Sequence, residues 1–186
     1  MPGWQRYLGW GVTLATLAIY ALMVTVTLPH LSELAGGMPM FDMRPGGYDY
    51  ETAREILTAL GEEGRSYYAG IQHVLDAIFP PFVGLTLAYW LWRAAPRWRN
   101  AGLPMSTMAL GILIGLGFLA AAFDLAENAM VDAMLSAGPN GITPSLVSAT
   151  SALTLAKSVM STIAYSALLV VGLGPLVARR MRRGEG

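Results

Sequence analysis

The stretch LPMSTMALGILIGLGFLAAAFDLAENAMV, residues 103–131, decides the fold of this chain. Residues 103–123 carry no charge, and as a helix they would measure about 31 Å, which is the thickness of a hydrocarbon core. The stretch then reaches Asp124, Glu127 and Asn128, which share one helical face. We therefore predict a membrane-spanning helix that presents polar side chains near one face of the bilayer.

Two glycines of this helix, Gly111 and Gly115, lie on the side opposite Asp124. Their spacing of four is the small-residue pattern through which membrane helices approach each other closely. We expect the helix to pack through this side and to present its polar groups on the other. A homo-oligomer formed through the Gly111 and Gly115 face is a related prediction.

The composition excludes an ordinary soluble domain. Of the 186 residues 54% are hydrophobic and 13% are charged, and the mean hydropathy is +0.48. The formal net charge of zero gives no indication of a nucleic-acid partner. The absence of cysteine excludes disulfides, thiol catalysis and thiolate metal sites.

Four apolar runs are each long enough to cross a bilayer as a helix: residues 8–28, 71–92, 103–130 and 147–178. Nothing between them is typical of strands. We predict an all-α fold, a four-transmembrane-helix bundle that forms one membrane domain over residues 1–186. The first run is expected to be a retained span rather than a cleaved signal.

The arginines predict the orientation, because cytoplasmic loops carry the excess of basic residues. One side has Arg6, Arg93, Arg97, Arg99, Arg179, Arg180, Arg182 and Arg183, and the other has only Arg44, Arg54 and Arg65. Both termini are therefore expected in the cytoplasm of a multi-pass protein of the cell membrane, the inner membrane of a bacterium. The outward loop, residues 29–64, should contain a short amphipathic helix at 50–60, begun by Asp49 and ended by Gly61.

A polar layer is predicted at one depth. Asp76, Asp124 and Lys157 each lie about 25–37 Å along the helix from the arginine at the cytoplasmic end of the same span. Lys157 is the only lysine in the chain, so Asp124 or Glu127 is its expected counter-ion, and one or two acids should remain without a positive partner. Pro80 and its neighbour Pro81 should free a backbone carbonyl one turn earlier and kink the second helix beside Asp76.

A metal or cofactor is not expected. His73 and Asp76 share a helix face, and acid–histidine pairs on facing helices build di-metal sites. One histidine without a repeated motif is a thin ligand set, so a hydrogen-bonded histidine at the membrane surface is favoured.

Three phrases, FDMRPGGYDYETAREILTALGEEGRSYY, LDAIFPP and FDLAEN, resemble a pattern of small, uncharacterised bacterial four-span membrane proteins. The resemblance covers roughly residues 41–128 and implies no activity. It implies a shared set that would surround an outward-facing site closed by the first loop: Arg44, Gly47, Tyr48, Gly61, Arg65, Tyr68, Asp76, Pro80, Asp124, Glu127 and Asn128.

The leading hypothesis is an outward-facing pocket within the membrane that binds a membrane lipid or another amphiphilic molecule. Acid/base chemistry there would fall to Asp76, Asp124 and Glu127. Binding would fall to Arg44, Arg65, Tyr68, His73, Asn128 and Lys157, with the two arginines reaching an anionic headgroup. The sequence leaves open whether the protein is an enzyme.

Two other classes remain open. The acids could form the relay of a proton- or cation-coupled transporter or channel component, although the inner halves of the spans are almost wholly apolar. Alternatively, the chain could be a structural protein whose acidic loop binds a partner.

Overall fold

The computed structural model describes residues 3–184, with side chains through Met181; Arg182 and Arg183, used above for the orientation, lie outside the described side chains. Within this range the chain is helical and has no strand. Its four long helices are α1 (Gly3–Leu34), α2 (Tyr50–Asn100), α3 (Thr107–Ala137) and α4 (Pro144–Gly184). Each is long and apolar enough to cross a membrane, which confirms the predicted all-α class.

The helices extend beyond the predicted apolar runs, because hydropathy marks the apolar part of a helix and not its ends. The difference is largest in α2, which begins at Tyr50 and includes residues that we assigned to the loop. At Gly61 the backbone leaves the helical region, with φ 61° and ψ −164°, and a kink divides the helix there. Only residues 35–49 connect α1 and α2, and they contain a short 3-10 turn at Phe41–Met43.

Two wide π turns interrupt the helices at facing positions. They are Met23–Thr27 in α1 and Tyr68–Gln72 in α2. A hydrogen bond of 2.5 Å from Thr27 Oγ1 to Gln72 Oε1 joins them. Such turns insert an extra residue and are frequent at functional sites. The insertion also rotates the part of α2 before Tyr68 relative to the part that carries Asp76.

The polar side of α3 is its packed side. A Cβ added at Gly117 would lie 3.3 Å from Leu87, and one added at Gly84 would lie 3.0 Å from Phe118, so α2 and α3 approach closely. Helix α4 packs on both of them, whereas α1 packs mainly on α2. Our expectation that α3 packs within the chain through Gly111 and Gly115 is wrong, because both are exposed and a Cβ added at either would meet no atom within 4 Å. A contact between copies through this face stays a prediction.

Two separate apolar cores stabilise the ends of the bundle. We call one end the basic end because the described arginines of the helix ends gather there: Arg93, Arg97, Arg99, Arg179 and Arg180. The core of this end is formed by Leu91, Ala94, Ala95, Leu110 and Val171. The opposite end is called the acidic end. Its core includes fully buried Phe41, Ile56, Leu57 and Met134, so the 3-10 turn and the first part of α2 pack onto α3 and α4 there.

Candidate functional site

One lysine and three carboxylates meet at the acidic end of the bundle. Lys157 Nζ lies 3.1 Å from Asp42 Oδ1 and 3.1 Å from Asp124 Oδ1, and it also forms an ion pair with Glu127 Oε2. We call these four residues the Lys157 cluster. The Glu127 side chain is fully buried, and that of Lys157 is only 15% exposed. The prediction that Lys157 pairs with Asp124 or Glu127 is confirmed, since it pairs with both.

Helical spacing places the members that come from α3 and α4. Asp124 and Glu127 are one turn apart on the packed side of α3. On α4, Thr154 precedes Lys157 by one turn and donates a hydrogen bond of 2.6 Å from its hydroxyl to Glu127 Oε1. The two oxygens of Glu127 are thus held by two successive turns of the neighbouring helix.

Asp42 reaches the cluster from the 3-10 turn in the connection between α1 and α2. Its Oδ2 accepts a hydrogen bond of 2.5 Å from the Tyr68 hydroxyl, while its Oδ1 contacts Lys157. The preceding residue, Phe41, is fully buried and packs against the rings of Tyr48 and Tyr68. These contacts fix the connection over the cluster and close it from the acidic end.

A backbone contact secures the other side of this connection. The Tyr48 amide donates a hydrogen bond of 2.9 Å to Ser151 Oγ on α4. Gly47 precedes it with φ 81°, and a Cβ there would lie 2.6 Å from that same Ser151 oxygen. A glycine is therefore needed at this approach for both its conformation and its size.

Tyr48 also brings a hydroxyl toward the cluster. Its Oη is buried near Thr154 and Glu127, but it has no hydrogen-bond partner of good geometry. Burial raises the pKa of the Tyr48 phenol well above its ordinary value, so Tyr48 remains a neutral hydroxyl. It is an unused donor beside the buried carboxylate of Glu127.

Asp76 lies in a second polar group, next to the Lys157 cluster. Gln72 Nε2 donates a hydrogen bond of 2.8 Å to Asp76 Oδ1, and Thr27 donates to the other end of the same amide. The main-chain carbonyl of Asp76 accepts a hydrogen bond of 2.8 Å from Asn128 Nδ2. This is the carbonyl that Pro80 frees, as the sequence predicted. The α2 backbone stays helical through both prolines, and a bend there stays a prediction.

The charges of the site are not balanced. If all groups of the Lys157 cluster are ionised, one ammonium faces three carboxylates. Asp76 is only 6% exposed and forms no ion pair with a described residue. Since unpaired buried charge is costly, the site favours the uptake of a proton or of a group that donates hydrogen bonds or carries positive charge.

The remaining predicted site residues lie apart from the cluster's ion pairs. Arg44 Nε donates to the carbonyl of Pro39, and Arg65 Nη1 donates to the carbonyl of Leu57, each at 3.2 Å. His73 is half-buried and makes no hydrogen bond or ion pair with the described residues. Asp42, Gln72 and Thr27 were missing from the predicted site, and Tyr48 entered it only through the resemblance. Their sequence signal was weak, because Asp42 and Tyr48 lie in a connection that has no periodicity.

No group of His, Asp or Glu side chains in the described part of the chain has an arrangement suited to a metal ion. In the Lys157 cluster the ammonium lies between the carboxylates, where a cation would otherwise bind. The residues therefore give no basis for assigning a metal.

An apolar groove adjoins the polar groups on the side toward the basic end. This lateral groove has a volume of about 400 Å³ and is lined by Thr16, Leu17, Tyr20, Phe79, Val83, Thr86, Leu87, Tyr165 and Leu168. Phe79 is one turn from Asp76 and stacks on Tyr20 at a ring distance of 6.0 Å. Tyr165 lies within electrostatic range of Asp124. The groove thus extends from the layer that contains Asp76 and Asp124 toward the apolar middle of the helices.

Comparisons of the chain with protein-family models, with curated proteins and with solved structures gave no match.

Proposed function

We propose that this chain is an integral membrane protein that binds an amphiphilic or lipid-like molecule. The apolar part of that molecule would occupy the lateral groove, and its polar end would reach the Lys157 cluster. The observation that carries this proposal is a 400 Å³ apolar groove whose wall residue Phe79 lies one helical turn from the buried carboxylate of Asp76. Sites for small molecules combine an apolar wall with a few convergent polar groups in this way.

The helix stripes connect the two parts of this site. On α2, Phe79 and Val83 follow Asp76 along one helix face, and on α4 Leu168 lies on the face of Lys157. Phe79, Val83 and Leu168 line the groove. From Lys157 to Leu168 the helix rises about 16 Å. A molecule with a polar end and an extended apolar part has the matching shape.

The polar end of the ligand is expected to donate hydrogen bonds or to carry positive charge. The carboxylates outnumber the ammonium in the Lys157 cluster, and Arg44 and Arg65 are bound to backbone carbonyls. An anionic headgroup would add to the excess negative charge. Asp76, Asp124 and Glu127 remain the proposed acid/base groups if the bound molecule is also a substrate.

The topology is part of the proposal. The arginine asymmetry favours cytoplasmic termini in a bacterial inner membrane, with the Lys157 cluster near the outer surface and the helical residues 50–60 in the outward segment. The connection that carries Asp42 covers the cluster from that surface. We therefore propose that the ligand enters sideways from the bilayer, between α1 and α4, where the lateral groove lies.

A binding experiment tests this site. Full-length protein in lipid nanodiscs would be titrated with dodecylamine, which is cationic at neutral pH, and with lauric acid. We expect dodecylamine to bind more tightly. Val83→Phe, which fills the lateral groove, and Asp124→Asn, which removes a carboxylate, should each weaken this binding about tenfold or more.

Val74→Phe is the matched control, because Val74 lies on the same helix but is exposed and away from the groove. Circular dichroism would establish that each variant folds. Unchanged dodecylamine binding by folded Val83→Phe and Asp124→Asn proteins would overturn the proposal. Mass spectrometry of lipids that co-purify with the protein would then search for a ligand of another class.

Coupled proton or cation transport is the second candidate. The buried Asp76 carboxyl, which has no cation partner among the described residues, favours it. Within the described helices, however, no Asp, Glu, Lys or His lies between this layer and Arg93 near the basic end. Proteoliposomes with an entrapped pH dye test this candidate: a proton flux that Asp76→Asn abolishes would support transport, and the absence of flux would reject it.

A further inference from the structure

The charges of the described chain are separated along the bundle. At the basic end the helices carry Arg6, Arg93, Arg97, Arg99, Arg179 and Arg180, and no described Asp or Glu side chain accompanies them. The acidic residues described in the structure all lie at or beyond the polar layer of the opposite end. The basic end is therefore a surface of one sign, which attracts anions.

A second groove opens at this end, between α2 and α4. This basic groove has a volume of about 380 Å³, and its walls include Trp90, Ala94 and Arg97 from α2 and Leu169, Gly172 and Leu173 from α4. It shares only Leu168 with the lateral groove. Apart from Arg97, its lining is apolar.

Arg97 is available to a ligand. Its side chain is exposed, and its guanidinium makes no hydrogen bond or ion pair with the residues that the structure describes. A tryptophan, Trp90, lies two turns further into the bundle along the same wall. Tryptophan and arginine at such a position are typical of the boundary between headgroups and acyl chains.

Gly172 keeps the opposite wall open. A Cβ added there would meet no atom within 4 Å, so the space beside α4 is empty of protein. Because the groove lies on helices that are long and apolar enough to cross a membrane, we expect lipid to surround it. The groove has room for an acyl chain, and Arg97 lies where the headgroup of that chain would be.

We propose that the basic groove is a binding site for one anionic phospholipid, with the phosphate on Arg97 and one acyl chain along Gly172. Charge complementarity favours this occupant, since basic pockets between membrane helices bind anionic headgroups. The guanidinium offers paired donors that match two phosphate oxygens. The site is at the opposite end from the Lys157 cluster and does not depend on the function proposed for that cluster.

Native mass spectrometry of the full chain in detergent, with phosphatidylglycerol or phosphatidylcholine added, tests the site. We expect a first phosphatidylglycerol to bind more tightly than a first phosphatidylcholine. Arg97→Gln should weaken phosphatidylglycerol binding about fivefold, which corresponds to one basic contact. Gly172→Leu should weaken binding of both lipids, because its side chain would fill the groove without changing the charge.

Arg180→Gln is the matched control, since it removes the same charge at the same end but outside the groove. It should reduce phosphatidylglycerol binding less than Arg97→Gln. Equal losses in the two arginine variants, or no effect of folded Gly172→Leu, would show that the lipid is attracted only by diffuse charge and would overturn the proposal. Arg97 is exposed, so its variant should fold in any case.

Discussion

The side-chain amide of Asn128 takes the place of a missing helical donor for Asp76. Asn128 Nδ2 donates a hydrogen bond of 2.8 Å to the main-chain carbonyl of Asp76, and the residue four positions later in α2 is Pro80, which has no N–H. A contact between helices thus substitutes for a contact within one helix. It also ties Asp76 to the turn of α3 that carries Asp124 and Glu127.

Replacement of Asn128 by alanine should destabilise the protein by about 1–3 kcal/mol, because a buried carbonyl would lose its donor. Pro80→Ala restores a backbone N–H at the position that normally serves this carbonyl. In the Pro80→Ala background the loss from Asn128→Ala should therefore be smaller. Reversible unfolding in mixed micelles of the four proteins of this double-mutant cycle measures the difference, and strictly additive effects would contradict the substitution.

The single lysine holds three carboxylates, so its removal should be the most damaging change in the cluster. Lys157→Met is expected to cost about 3–5 kcal/mol of unfolding free energy, since it leaves buried carboxylates without a cation. Asp42→Asn should cost about 1 kcal/mol or less, because the amide oxygen still accepts one of the two hydrogen bonds and two carboxylates still pair with Lys157. The same unfolding assay compares the two variants.

A cluster that keeps only the Asp42 carboxylate is the control for that comparison. Lys157→Met combined with Asp124→Asn and Glu127→Gln removes the ammonium together with two of its partners. If the cost of Lys157→Met comes from stranded charge, this triple variant should be more stable than Lys157→Met alone. A triple variant that is equally or less stable would mean that packing around the lysine stem dominates.

The part of the site on regular helices could be predicted from sequence. Lys157 has no other lysine to compete with it, and Asp124 and Glu127 share one helix face, so their pairing follows from spacing and depth. The freed carbonyl of Asp76 follows directly from Pro80. These inferences depend only on helical periodicity and on the covalent structure of proline.

The contributions of the connection between α1 and α2 could not be predicted. Asp42 lies in a 3-10 turn whose position is set by the burial of Phe41 against two tyrosine rings, and no periodic pattern encodes that contact. The π turn at Tyr68–Gln72 likewise changes the register of α2 without a sequence signal that we recognised. In a regular helix Arg65 would share the face of Asp76. The π turn lies between the two residues, and the Arg65 guanidinium binds the Leu57 carbonyl instead.

The two tyrosines beside the cluster should respond differently to loss of the hydroxyl. Tyr68→Phe removes a donor to the Asp42 carboxylate and should cost about 1.5–3 kcal/mol, as expected for a hydrogen bond to a charged group. Tyr48→Phe removes a buried hydroxyl that has no hydrogen-bond partner of good geometry among the described residues, so stability should stay the same or rise. Unfolding of the two variants side by side tests this contrast. Similar losses from both would indicate that the Tyr48 hydroxyl does form a stabilising contact.

The start of α2 should depend on pH through Asp49. Its carboxylate accepts a hydrogen bond of 2.8 Å from the Thr52 amide, and hydrogen bonding by Thr52 lowers the pKa of Asp49 below its ordinary value of 3.8. The stabilisation is therefore present above that ordinary pKa and is lost as the pH falls through the lower value in the folded protein. At neutral pH, Asp49→Ala should speed amide hydrogen exchange in the first turns of α2, and the difference from the native protein should shrink in acid. Asp49→Asn, whose amide oxygen caps a helix without titrating, should keep the protection of these amides, measured relative to their intrinsic exchange at each pH, nearly constant over this range. A native-like loss of protection in acid in that variant would assign the pH dependence to another group.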